Sequence, residues 1–141
     1  MLVESGADVN ARSKNSTTPL IIASVRGRVE IISLLVKKGA KVDGVLNNGS
    51  TALMVAAERG HYEAVKALLK HGADPEITSQ KGWTTLMVAV AGGNLKVTRL
   101  ILDQGGDAQA KSKSGWTALK VAAQAKHQSI VNILLQSGVK D

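Results

Sequence analysis

The sequence predicts an all-α solenoid of stacked helix–turn–helix units, and three regularities carry that prediction. A threonine recurs at constant spacing, at Thr18, Thr51, Thr84 and Thr117. The intervals 51−18, 84−51 and 117−84 all equal 33 residues. Each threonine is followed by a leucine two residues later and an alanine five residues later, and a glycine closes each unit, at Gly39, Gly72, Gly105 and Gly138. Internal repetition at a period of roughly 20–50 residues is typical of stacked repeat architectures.

Each unit is predicted to begin with a short helix. Thr18 is a good N-cap because its hydroxyl can accept a hydrogen bond from a free N–H of the first turn. Pro19 suits the first helical position, where no donor is needed. After about two turns a glycine can adopt the left-handed conformation that ends the helix, at Gly27, Gly60 and Gly93.

The second helix of a unit carries apolar residues at helical spacing, as in Val29, Ile32, Leu35 and Val36. A polar hairpin-like loop, such as SQKG at 79–82, then leads to the next threonine. Helices this short are unstable alone in water, so neighbouring units must supply the burial. We therefore predict one domain, 1–141, with four full units at about 12–44, 45–77, 78–110 and 111–141 and a partial unit at 1–11. Because Met1 falls inside a second helix, we expect the chain to be the C-terminal part of a longer array.

The segments TTPLIIASVRGRVEIISLLVKKGAKVD and STALMVAAERGHYEAVKALLKHGADPE resemble ankyrin repeats, and the resemblance covers essentially the whole chain. The family usually has His after T-P-L, but this chain has other residues there: Ile21, Met54, Met87 and Lys120. Apolar packing should therefore replace polar bracing in three units. Ser16 stands where the other hairpins have glycine, and Lys126 replaces a helix-ending glycine. The last unit is predicted to be a polar capping repeat, on the basis of Lys120, Lys126, Gln128, Asn132 and Gln136.

The composition excludes several classes of chemistry. The chain has no Cys, so disulfides, thiolate zinc sites and cysteine nucleophiles are absent. The three histidines, His61, His71 and His127, are scattered, and no nucleophile–base or paired-acid arrangement emerges. We predict that the protein is not an enzyme and has no catalytic residues, metal site or cofactor. No apolar run reaches the roughly 20 residues of a membrane span, and the N-terminus lacks the pattern of a signal peptide. A cytoplasmic protein without membrane contact is therefore expected.

The resemblance implies that partners dock on a concave surface, formed by the hairpin tips and the exposed face of each first helix. Its basic residues are Arg12, Lys14, Arg26, Arg59, Lys81, Lys111 and Lys113. Against them stands one acid, Glu58, so seven minus one gives +6 of the chain's net charge of +7. The only two tryptophans, Trp83 and Trp116, share one position in adjacent units and should stand side by side.

The leading hypothesis is a non-catalytic module that binds an acidic protein or peptide segment. Trp83 and Trp116 would be apolar anchors, and carboxylates would be held by Lys14, Arg26, Arg59, Lys81, Lys111 and Lys113. The tryptophans could instead only brace their own hairpins, and both interpretations stay open. Binding of nucleic acid or a phosphate ligand is the second hypothesis, and a scaffold or substrate adaptor within a longer protein is the third. We expect a monomer, with end-to-end dimers as the alternative.

Overall fold

The computed structural model describes residues 9–137, which form helices of two alternating lengths. The seven-residue helices are α1 (Pro19–Val25), α3 (Ala52–Glu58), α5 (Thr85–Ala91) and α7 (Ala118–Gln124). The nine-residue helices are α2 (Val29–Lys37), α4 (Tyr62–Lys70), α6 (Leu95–Asp103) and α8 (Gln128–Gln136). Apart from one isolated bridge between Val45 and Thr51, all regular secondary structure in this range is helical. The predicted all-α class is confirmed, whereas Gly138 and most of the predicted partial unit lie outside the described residues.

The helices pack in two rows. The short helices contact one another in chain order and form an inner row, α1, α3, α5 and α7. The longer helices form an outer row in the same order, α2, α4, α6 and α8, and each helix also contacts its own pair partner. Helices of seven and nine residues fall below the length of about 12–15 residues at which isolated helices become even marginally stable. Stacking between neighbouring pairs therefore stabilises the fold, as expected for a solenoid.

The core runs between the two rows along the whole described chain. Each outer-row helix contributes fully buried aliphatic side chains, among them Leu35, Leu68, Ile101 and Leu134 at equivalent positions. Each inner-row helix contributes a buried leucine, Leu20, Leu53, Leu86 and Leu119. Three residues at the position where the resembled family has His are also buried, Ile21, Met54 and Met87, whereas Lys120 at that position in α7 is exposed. Apolar packing thus replaces polar bracing in three units, as predicted.

The recurring threonines cap the inner-row helices. The hydroxyl of Thr18 accepts a hydrogen bond from the N–H of Ile21 at 3.2 Å, and Thr51 accepts one from Met54 at 3.1 Å. The same bond recurs at 3.1 Å for Thr84 and at 3.2 Å for Thr117. Each hydroxyl satisfies a first-turn N–H that has no partner within the helix. The prediction of a threonine N-cap is confirmed.

Left-handed residues follow the inner-row helices, with φ of +68° at Gly27, +73° at Gly60, +72° at Gly93 and +62° at Lys126. Space as well as conformation requires glycine at three of these positions, and at Gly60 a Cβ would lie 2.7 Å from Nδ2 of Asn94. A Cβ on Gly27 would lie 2.8 Å from the His61 ring, and one on Gly93 would lie 2.8 Å from the His127 ring. Lys126 instead holds a full side chain in the left-handed region, which costs about 1–2 kcal/mol for an L-residue.

We expect Lys126→Gly to raise the free energy of unfolding by about 0.5–1 kcal/mol, because relief of the left-handed strain exceeds the added freedom of the unfolded chain. Urea denaturation followed by circular dichroism would measure the change. Lys126→Ala is the matched control, since it removes the charge and the stem but keeps the Cβ. An equal gain in both variants would attribute the effect to the lysine side chain and contradict the backbone explanation.

Candidate functional site

Four hairpin turns precede the inner-row helices and share one hydrogen-bond pattern. In each, a backbone N–H donates to the carbonyl four residues later: Ser13 to Thr17, Leu46 to Ser50, Ser79 to Trp83 and Ser112 to Trp116. These bonds measure 2.8 to 3.0 Å. The next-to-last residue of each turn has a positive φ: Ser16, Gly49, Gly82 and Gly115. The hairpins therefore present equivalent positions at equivalent places.

Backbone hydrogen bonds also join each hairpin to the next. The N–H of Gln80 donates to the carbonyl of Asn48 at 2.9 Å, and the N–H of Lys113 donates to the carbonyl of Lys81 at 3.0 Å. Between the first two hairpins the corresponding bond, from Asn47 to Asn15, is longer at 3.4 Å. These bonds hold the tips in a fixed register, so Lys81 and Lys113 are neighbours on adjacent hairpins.

Ser16 explains the longer bond between the first two hairpins. At the same position in the next hairpin, a Cβ on Gly49 would lie only 2.8 Å from the backbone N of Gln80. Ser16 carries such a Cβ, and its hydroxyl donates across the gap to the Asn47 carboxamide oxygen at 2.6 Å. The side chain thus separates the two backbones and supplies a hydrogen bond between them.

Trp83 and Trp116 occupy the same position in the third and fourth hairpins. The N–H of Trp83 donates to the hydroxyl of Ser79 at 3.3 Å, and that of Trp116 donates to the hydroxyl of Ser112 at 3.1 Å. Both tryptophans are half-buried and pack against the hydrophobic core. The rings therefore brace their units and still expose part of their surface. A role in binding stays a prediction.

The predicted basic residues are all exposed. Lys14, Lys81, Lys111 and Lys113 lie in the loops that form the hairpins, and Arg26 and Arg59 are the C-cap residues of α1 and α3. The structure brings Lys81 and Lys113 together through their backbones. Lys14 lies in the first hairpin and is separated from them by the second hairpin, whose tip is neutral.

Charge compensation on this surface is sparse. No ion pair joins a cation to a carboxylate within residues 9–137. Two of the acids instead link loops, since Asp43 accepts a hydrogen bond from the N–H of Asp74 at 3.0 Å and Glu76 accepts one from Asp107 at 3.1 Å. Arg12, one of the predicted basic residues of the concave surface, donates to the carbonyl of Val45 in the next loop and so also has a structural role.

Two of the three histidines connect neighbouring units. The Nε2 atom of His61 lies 2.8 Å from the carbonyl oxygen of Val25, and Nε2 of His71 lies 3.3 Å from the hydroxyl of Ser33. In the described part of the chain, His, Asp and Glu side chains form no group of three that could hold a metal ion. No helix in that part is long and apolar enough to cross a membrane.

An open groove of ≈ 420 Å³ lies beside Trp83, between the second and third hairpins. It is lined by Asn48, Ser50, Ser79, Gln80, Lys81, Trp83 and Val88. Sequence reasoning missed this groove, although a signal was present. Ser50 holds in the second hairpin the position that Trp83 holds in the third, so a small side chain stands next to a large ring.

Comparison with known families agrees with this architecture. The family model described as ankyrin repeats (three copies) matches residues 1–79 and again 72–141, which together span the chain. Comparison with the curated proteins gives no match. Ankyrin repeats are generally modules of protein–protein interaction and are typically not enzymes. With its capped helix pairs and hairpins in register, the chain belongs to the ankyrin repeat family.

Proposed function

We propose that this chain is a non-catalytic protein-interaction module that binds an acidic protein or peptide segment on the concave surface. Trp83 and Trp116 supply apolar contact, and charge is supplied by Lys14, Arg26, Arg59, Lys81, Lys111 and Lys113. The observation that carries the proposal is the pairing of Lys81 with Lys113. The backbone N–H of Lys113 donates a hydrogen bond to the carbonyl of Lys81 at 3.0 Å, and both side chains are exposed. Among the described residues, no carboxylate forms an ion pair with either lysine.

The energetics of this pair favour an anionic partner. Two like charges on residues with adjacent backbones repel when their ammonium groups approach, and water and salt only partly screen that repulsion. A carboxylate placed between the two ammonium groups reverses the sign of the interaction. Exposed cations also attract an acidic partner before contact, which raises the rate of association.

We also infer that the unit boundaries follow the 33-residue register: about 12–44, 45–77, 78–110 and 111–141 after a partial unit at 1–11, all in one domain. The hydrogen bonds between hairpins support this register, because they recur after one unit. Gln80 bonds to Asn48 and Lys113 bonds to Lys81, and the partners lie 32 residues apart in both (80−48 and 113−81).

Combining Lys81→Glu with Lys113→Glu is expected to weaken binding of an acidic peptide at least about tenfold at low ionic strength, mainly by slowing association. The probe is a fluorescein-labelled peptide with one Leu between two pairs of Glu, followed by anisotropy and stopped flow. Binding to the unmodified protein should also weaken as salt rises, because exposed charges are screened within about 8 Å at physiological ionic strength.

The matched control combines Lys66→Glu with Arg99→Glu. These exposed residues lie on the outer helices α4 and α6 and give the same change in net charge. If this control weakens binding as much as the hairpin pair does, net charge rather than the concave surface holds the peptide. Binding that ignores both salt and the hairpin variant would exclude the proposed surface.

Nucleic-acid binding is the second candidate, because Lys81 and Trp83 line the same groove and so combine a cation with an aromatic ring. A labelled oligo-dT titrated in the same way separates the two functions. Tighter binding of oligo-dT than of the peptide, with a salt slope that grows with the number of phosphates, would favour nucleic acid. A scaffold or substrate-adaptor role within a longer protein would use the same surface for protein binding.

A further inference from the structure

We infer that the groove beside Trp83 is a specificity subsite, which accepts one apolar side chain of the partner together with an adjacent carboxylate bound by Lys81. The inference rests on the proposed function, because it assigns the partner's chemistry at one place on the concave surface. It also distinguishes the two tryptophans at this place, because Trp83 lines the groove and contacts the inserted side chain, whereas Trp116 lies outside the lining.

The groove exists because the side chain at one position of the hairpins changes from small to large between neighbouring units. Thr17, Ser50, Trp83 and Trp116 hold the same position in successive hairpins. Between the third and fourth hairpins both positions carry indole rings. Between the second and third, Ser50 faces the space beside Trp83 without a ring of its own, and both residues line the groove. The open side of Trp83 is therefore the side toward the second hairpin.

The polar atoms that line the groove are largely engaged within the protein. The Asn48 carboxamide oxygen accepts from the N–H of Ser50 at 2.9 Å, and Nε2 of Gln80 donates to the carbonyl of Asn47 at 2.6 Å. The hydroxyl of Ser79 accepts from the N–H of Trp83 at 3.3 Å. A ligand therefore meets the indole ring, the aliphatic side chain of Val88 and the ammonium of Lys81, together with the amide and hydroxyl atoms that these bonds do not use.

This lining fits a peptide side chain better than a nucleobase. A buried base needs hydrogen-bond partners for its edge, and the Asn48 carboxamide oxygen and the Gln80 amide nitrogen already bond within the protein. The volume of ≈ 420 Å³ lies in the lower half of the range of about 300–1,000 Å³ that is usual for ligand sites. One cation in the lining suits one carboxylate on the residue next to the inserted side chain.

The test fills the groove by replacing only one small side chain of its lining. Ser50→Trp places a third tryptophan at the position of Trp83 and Trp116, one unit earlier, and leaves the net charge of the protein unchanged. Thr17→Trp is the matched control, because it adds the same ring at the same position of the first hairpin, outside the groove lining. The probes are the labelled peptide with Leu between two pairs of Glu and a second peptide with Gly in place of the Leu. Circular dichroism checks that both variants remain helical.

We expect the unmodified protein to bind the Leu peptide about fivefold more tightly than the Gly peptide, since an open groove removes part of the Leu side chain from water. Ser50→Trp should abolish this preference and leave the salt-dependent binding of the Gly peptide unchanged. Thr17→Trp should keep the preference.

The two tryptophans provide an independent readout, since the chain contains no others. In Trp116→Phe the remaining indole is Trp83, and its emission should shift when the Leu peptide binds. In Trp83→Phe the emission of Trp116 should not distinguish the Leu peptide from the Gly peptide. An equal response of both indoles would overturn the assignment of Trp83 as the contact residue.

Several results would overturn the subsite. Equal affinities of the unmodified protein for the two peptides would do so. If binding of both peptides still depended on salt and on the charge reversal at Lys81 and Lys113, the proposed function would stand without the subsite. A preference that survives Ser50→Trp, or disappears in Thr17→Trp, would place the side chain elsewhere. Binding of oligo-dT that is lost only in Ser50→Trp would assign the groove to a base. If neither peptide binds, both the subsite and the proposed function fail.

Discussion

Leu68→Ala is expected to lower the free energy of unfolding by about 3–5 kcal/mol, because truncating a buried leucine removes apolar burial and leaves a cavity. Leu68 lies in α4 with no exposed surface and packs in the middle of the described stack. Neighbouring units stabilise each other in a solenoid, so a cavity there weakens the contacts of the second unit on both sides.

Urea denaturation followed by circular dichroism would measure this loss. Leu135→Ala is the matched control: Leu135 lies in α8 directly after Leu134, the equivalent of Leu68, and is 52% exposed. Because about half of its side chain already contacts water, we expect a loss below about 1 kcal/mol. Similar losses in the two variants would contradict the continuous core described for the two rows.

Gly49→Ala is expected to lower the free energy of unfolding by about 2–3 kcal/mol, from left-handed strain and from the loss of a hydrogen bond. Gly49 has φ +84°, and an added Cβ would lie 2.8 Å from the backbone N of Gln80. That nitrogen is the donor of the bond that joins the second and third hairpins, so the methyl group cannot be accommodated without separating them.

Gly115→Ala separates the cost of left-handed strain from the cost of the lost hydrogen bond. Gly115 holds the same position in the fourth hairpin with φ +85°, and an added Cβ there meets nothing within 4 Å. We expect this variant to lose only about 1 kcal/mol, from strain alone. Amide exchange at Gln80 should accelerate in Gly49→Ala and stay unchanged in Gly115→Ala. Equal losses of stability would show that the contact between hairpins contributes little.

The parts of the fold that depend on local sequence could be predicted in advance. Thr18 and its equivalents predict the start of the inner-row helices, because the hydrogen bond of an N-cap hydroxyl involves only residues of the first turn. Gly27 and Gly60 mark the ends of these helices for a similarly local reason. The half-burial of Trp83 and the exposure of Lys81 also agree with their predicted place on the hairpins.

The parts that depend on spacing between units could not be predicted. The hydrogen bond from Ser16 to Asn47 requires two turns to meet at 2.6 Å, and no local pattern encodes that distance. The groove beside Trp83 depends on the contrast with Ser50, one unit earlier. Trp83 and Trp116 are equivalent within their own units. They differ only in the residue at the same position one unit earlier, which is Ser50 for Trp83 and Trp83 for Trp116.

The regular spacing between units also has a consequence for how fast the chain folds. Bonds between units join residues about one unit apart, such as 32 residues for Gln80 with Asn48 and 38 for His71 with Ser33. Loop-closure entropy depends on the logarithm of loop length, so every docking step carries nearly the same entropic barrier. Nucleation can then occur at any adjacent pair of units and spread in both directions. Because these bonds span about one unit rather than the length of the chain, we expect rapid folding, with the slowest step at the first docking event.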